Sequence, residues 1–289
     1  MSLRLPFSAR GASIELVGSR SGRDWVTTIC AGFIVFVVLI AILAPWIAPH
    51  DPAALDLLAR WQPPSAAHLL GTDSLGRDIL SRLIMGARLT LLGPLLIIVL
   101  ATTTGTIVAI TSAWVGGWFD TVVSRGLDIL FAFPGLILAL LAVALFGTGL
   151  VAPVVALAIA YLPYIARVLR SGAIRQRTMP YIAAVTVEGL PSRQIMLRHL
   201  FPNIMGLVLV QATLSFGYAV VDLAAVSFLG LGVQPPSPEW GLMVATGQSS
   251  ILSGHPQESL YAGLCIVATV VAFNVLGDRL ASRLAEGRS

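Results

Sequence analysis

Asp222 is a lone carboxylate inside a stretch that is otherwise apolar for several turns on either side. A charged group at membrane depth costs about 2.5–3.5 kcal/mol on insertion scales, so such an acid marks either a helix–helix hydrogen bond or a pathway for ions or substrate. Both readings stay open for Asp222. A second group of reactive side chains is Glu188, Arg193, Arg198 and His199, crowded with two prolines and a glycine into VEGLPSRQIMLRHLFPN, residues 187–203. The four histidines, His50, His68, His199 and His255, are scattered, with no HExxH and no pair at helical spacing, so no metal site is expected. No lysine occurs: all 18 basic residues are arginine. That excludes a Walker A loop, whose Lys must reach the β and γ phosphates, and equally a Schiff-base cofactor. No nucleophile–base pair falls at membrane depth either, so the chain is not expected to be an enzyme.

The elements that carry these residues follow from composition. Of the 289 residues 56% are hydrophobic and 11% charged, against about 25% charged in a soluble domain. The chain therefore reads as an integral membrane protein, and its net charge of +4 as loop asymmetry, not as a nucleic-acid surface. Residues 25–48 form a first span, too long for a signal-peptide core. Residues 1–24 precede it and 49–88 follow as a polar insert. Residues 89–119 hold one long span. The uncharged run 129–166 would extend about 57 Å as one helix, nearly twice the hydrocarbon thickness. It must fold back, and FGTGLVAP (146–153) marks the turn between two short spans. Residues 202–228 and 259–277 complete six transmembrane helices, an all-α membrane protein. Cys30 and Cys265 both lie in apolar spans and imply no disulfide.

With six spans both termini share a side. The insert carries Arg60, Arg77, Arg82 and Arg88, and the opposite loops carry all the other arginines, which puts those loops and both termini in the cytoplasm. In the insert, Asp73 with Arg77 and Asp78 with Arg82 are four apart, acid leading. They read as solvated helical pairs worth about 0.2–0.5 kcal/mol each, or, for Asp73, Arg77 and Asp78, as a docking surface for an external partner.

The loop 187–203 is patterned beyond what topology needs. Thr178 is a candidate N-cap, Pro180 fits a first turn, residues 181–188 make about two turns, and Gly189 with Pro191 stops them. A second helix starts at Ser192, with Met196/Leu200 and Leu197/Phe201 stacked at i, i+4. Residues 167–202 are thus either a topogenic loop or a compact docking knob.

AAVTVEGLPSRQIMLRHLFPN (183–203) resembles the cytoplasmic coupling loop of ABC importer permeases, in which a Gly is followed thirteen residues later by a Pro, as Gly189 is by Pro202. Arg198, His199 and Asn203 resemble the version in dipeptide, oligopeptide and nickel importers. The family's leading Glu falls on Ala183, and Val185 replaces its second Ala. LLGTDSLGRDILSRLIMGARLTLL (69–92), VSFLGLGVQPPSPEWG (226–241) and FNVLGDRL (273–280) are similar to the C-type permease of the same class. The resemblance implies a type I importer permease fold in a prokaryotic inner membrane, with residues 89–280 as a five-helix permease core and 281–289 as a cytoplasmic tail. It implies as partners a second permease, two ATPases and an external solute-binding protein, besides membrane lipid. ATP and Mg would lie on the ATPases, and no cofactor on this chain. Tyr181, Ala183, Ala184, Glu188, Gly189, Arg193, Arg198, His199 and Pro202 would form the ATPase-coupling surface. Peptides are the expected cargo, with nickel or another small solute as the alternative. A proton-coupled carrier using Asp222 and a purely structural scaffold are the readings from other classes.

Overall fold

A computed structural model describes residues 20–286, which are mostly helical apart from the segments 48–78 and 229–239. Most of the expected leading segment 1–24, and residues 287–289 of the expected tail, lie outside the described residues. The helices are α1 (Arg20–Ile47), α2 (Ile79–Val115), α3 (Gly117–Phe131), α4 (Gly135–Phe146), α5 (Val151–Arg177), α6 (Pro180–Val187), α7 (Ser192–Ile195), α8 (Phe201–Phe228), α9 (Trp240–Thr246), α10 (Gln248–Leu252) and α11 (Gln257–Glu286). Five are long and apolar enough to cross a membrane, and the bent pair α3–α4 makes a sixth crossing if counted as one span.

The centre is built from α2, α5 and α8. At one end Ile79, Leu83 and Leu91 of α2 pack with Leu157 of α5, Val220 and Leu223 of α8 and Trp240 of α9. At the other, Ala109 and Ala113 of α2 meet Ile165, Leu169 and Ala173 of α5 and Leu200 and Ile204. Between helices in lipid there is no hydrophobic gain from association, so close packing holds them, with Ala109, Ala113 and Ala173 letting backbones approach at the second end. The most apolar window of α1 is 6% buried, against 50% for α2, so α1 is a peripheral helix laid on α2 and α11.

The spans agree with the sequence reading except at their ends and at one break. α2 begins ten residues before the expected position 89, because Asp78 caps it: its carboxylate accepts from the Ser81 amide at 2.8 Å. α11 continues to Glu286, so most of the expected tail 281–289 is helix, and Arg167 to Arg177 of the expected loop 167–202 belong to α5. The fold-back at 146–153 is present, with Gly147 at φ +91°. The span before it is not one helix. α3 and α4 meet at 79° across residues 132–134, and α4 alone, 12 residues, rises only about 18 Å. Pro134 explains the break, since a residue before proline is pushed out of the α region.

Candidate functional site

Two helices of the knob close on each other through one glycine. α6 ends in a Schellman motif: the Gly189 amide donates to the Thr186 carbonyl at 3.1 Å and the Leu190 amide to the Val185 carbonyl at 3.2 Å. Gly189 sits at φ +79°, which L side chains adopt only at a cost. Pro191 then precedes α7. Thr178 is not the N-cap of α6, which is Met179; the Thr178 hydroxyl instead donates back to the Arg175 carbonyl at 2.9 Å, closing α5. Ile182 and Ile195 are the buried anchors of the knob. Its outer face offers Ala183, Ala184, Glu188, Gly189 and Arg193, with Val187 89% exposed. Neither Glu188, Arg193 nor Arg198 has an ion-pair partner among the described residues. Tyr181 is half-buried and donates its hydroxyl to Gln176 Oε1 at 3.0 Å; burial pushes its phenol up.

The junction of knob and membrane helix differs from the expected α-helix. Met196–Leu200 is a π-helical turn, and Met196, Leu200 and Phe201 still share one apolar cluster. Pro202 is the cause: it has no N–H to give the Arg198 carbonyl, and the Phe201 amide reaches Met196 instead. Asn203 completes the junction by donating Nδ2 to the His199 carbonyl at 2.6 Å. Residues 192–228 therefore run from knob to α8 without a loop. On the α5 side, Arg177 donates Nη1 to the otherwise unpaired Ala113 carbonyl at the end of α2, 2.7 Å away. Arg170 forms a forked pair with Asp120 of α3, and Arg167 meets Asp128 at 2.7 Å.

Asp222 faces a cavity of about 430 Å³ with Phe131, Phe133, Tyr164 and Tyr218. Tyr161 of α5 donates its hydroxyl to Asp222 Oδ2 at 2.8 Å. The interhelical hydrogen bond, one of the two sequence alternatives, is present, and the carboxylate also lines the cavity.

The insert corrects the expectation of surface pairs. Asp73, Arg77 and Asp78 are 2%, 4% and 4% exposed, so the chain's own fold covers them and a partner would meet the segment they hold, not these side chains. Asp73 is the hub of a turn, accepting from the Leu75 and Arg77 amides and from Arg77 Nε at 2.6 Å. Arg82 does not pair with Asp78; it lies 3.6 Å from Asp73 and 4.0 Å from Glu258 at the head of α11. Glu258 was missed from sequence because its partners stand far away along the chain. So was Glu239, which accepts from the Thr90 hydroxyl and caps α9, while Trp240 donates Nε1 to the Leu83 carbonyl at 2.9 Å. His50 and His68, expected to be scattered, are neighbours, with ring centroids 4.9 Å apart.

Residues 101–288 match the family described as binding-protein-dependent transport system inner membrane component, and residues 23–64 match the N-terminal transmembrane domain of oligopeptide transport permease C. The di/tripeptide transport system permease protein DppC of Pseudomonas aeruginosa is 40% identical over 258 residues, covering 87% of this chain and 85% of that protein. The glutathione transport system permease protein GsiD of Pectobacterium atrosepticum is 36% identical, covering 91% and 87%. Among solved structures, an inward-facing MetNI methionine ABC transporter chain superposes with a TM-score of 0.58 at 19% identity, over 71% of this chain and 97% of that one, a similarity of fold.

Proposed function

This chain belongs to the family of inner-membrane components of binding-protein-dependent transport systems, and from that membership we propose that it is the permease subunit of an ATP-driven peptide importer. The observation that carries the mechanism is the knob. Its outer face is small and apolar around Ala183, Ala184 and Val187, and it is joined to α5 and α8 by short, hydrogen-bonded junctions. Seated in a cleft of an ATPase subunit, it would move as that subunit closes on ATP, and α8 would move with it. Such coupling needs contacts that differ between two states. With Ala183 in place of the family's acid, the contact is apolar there, and Glu188, Arg193 and Arg198 are the charged groups left to the partner. His199, through its carbonyl, and Pro202 also shape the junction from which the contact surface projects.

The pathway would form between this chain and a second permease, with Asp222 facing it. Peptide cargo is supported by the relatives, whose names refer to di/tripeptides and glutathione. Delivery would fall to a solute-binding protein and hydrolysis to the ATPases. The test is uptake of labelled di- and tripeptides into vesicles carrying the assembled complex. ATP-dependent uptake supports the importer. Uptake that follows a proton gradient without ATP, and is lost in Asp222→Asn, would establish the carrier instead.

A further inference from the structure

At the end of the molecule opposite the knob, three potential ligands converge from three separate segments. His50 follows the end of α1, His68 lies in the insert, and Asp78 caps α2. One ligand atom from each falls within 4.8 Å of the others. His68 Nδ1 is 3.0 Å from Asp78 Oδ1, and His50 Nδ1 is 3.7 Å from Asp78 Oδ2. Each segment is pinned in place by its backbone. The His50 amide donates to Ser81 Oγ at 2.9 Å, and that hydroxyl donates to Asp78 Oδ2 at 2.7 Å. The Gly71 amide donates to the His68 carbonyl, and the His68 amide to Ser65 Oγ.

We propose that His50, His68 and Asp78 form a binding site for one late first-row divalent cation, of the zinc type, that ties the end of α1 and the insert to the start of α2. A four-coordinate ion holds N and O ligands at about 2.0–2.2 Å, which sets ligand atoms roughly 3.4 Å apart. His68 Nδ1 stands 3.0 Å from Asp78 Oδ1 and His50 Nδ1 3.7 Å from Asp78 Oδ2, both near that value but against different carboxylate oxygens, so closure on one ion asks for a turn of the carboxylate and a shift of His50. Two imidazoles and a carboxylate favour this class of ion over Mg²⁺ or Ca²⁺, which take oxygen sets. The ligand set is graded in exposure: the side chains of Asp78, His68 and His50 are 2%, 19% and 42% exposed, which leaves the His50 side open for the ion and a water. Asp78 Oδ2 accepts from the Ser81 amide and hydroxyl, and Oδ1 faces His68. Binding also requires His68 to carry its proton on Nε2, so that Nδ1, 3.0 Å from Asp78 Oδ1, offers its lone pair to the ion. Arg82, a buried cation on the first turn of α2, is occupied by Asp73, Glu258 and the Pro52 carbonyl. The site is independent of the transport reading.

The experiment uses the full-length chain, with whatever subunits co-purify, stripped by chelator in nanodiscs and titrated with Zn²⁺. One zinc per chain is expected. Loss of a direct ligand should weaken binding at least as much as the 10- to 100-fold seen for outer-shell partners. His50→Gln and His68→Gln should each reach about 100-fold, and His255→Gln, at the same end of the molecule, should change nothing. Asp78 is left in place because it caps α2. Zinc should also raise the melting temperature of the wild type and not of the double variant. Substitution with Co²⁺ should give the intense visible bands of a four-coordinate site. Absence of stoichiometric binding, binding that survives in the double His variant, or a pale six-coordinate Co²⁺ spectrum would each overturn the site.

Discussion

Replacing Gly189 with valine isolates the turn that shapes the knob. The residue stands at φ +79°, and a Cβ built there meets nothing within 4 Å, so sterics from neighbours contribute nothing and the whole cost is backbone conformation. The left-handed region costs an L residue about 1–2 kcal/mol, and a β-branched residue falls at the upper end. That energy reduces the population of the Schellman-closed turn by about 5- to 30-fold relative to unravelled alternatives. It acts on one turn outside the packed α2, α5 and α8, so insertion and yield should be unchanged. In vesicles carrying the assembled complex, Gly189→Val should hydrolyse ATP with little peptide uptake, whereas Gly189→Asn, which tolerates the left-handed region, should stay near wild type. Normal coupling in the valine variant would refute the role of the turn. Equal damage from asparagine would show that the partner surface excludes any side chain there and that φ is not the cause.

Tyr161→Phe removes the donor to Asp222 and leaves the cavity wall intact, so uptake should fall less than in Asp222→Leu, which removes the carboxylate itself, if that carboxylate meets substrate; identical losses, measured as initial uptake rates, would assign both to the interhelical bond. Arg82→Met leaves Asp73 and Glu258 buried without their shared cation and should destabilise the chain by about 3–5 kcal/mol, read as a lower melting temperature and folded yield. Gly241→Ala would place a Cβ 2.6 Å from the Ala224 carbonyl oxygen, a backbone atom that cannot turn aside. α9 must then lift from α8, which protease nicking near residues 230–241 should reveal.

Much of the architecture was legible because lipid imposes it. A chain in hydrocarbon must satisfy its backbone within each helix, so span number follows from uncharged length, and 129–166 had to fold back on length alone. The knob was legible for a local reason: Pro180, Gly189 and Pro191 act within their own turns. Where proline acts on a helix that continues past it, sequence gave less. Pro202 reads as a helix start, yet the chain is helical on both sides of it, and the conflict is resolved by a π turn that depends on Asn203 and on the packing of Leu200. Pro134 likewise bends a stretch whose composition reads as one span.

The sequence by itself determined the membrane class, the crossings and the residues of the knob, since hydropathy, helix length and turn chemistry are properties of neighbouring residues. Only the tertiary structure decided that Asp73, Arg77 and Arg82 are interior, that Glu258 joins them, that Tyr161 holds Asp222, and that His50 and His68 share Asp78. Each of those pairings links segments whose approach is fixed by how α1, α2, α5, α8 and α11 pack. A charge is solvated or buried according to what the rest of the chain brings beside it, and spacing along the chain carries no record of that.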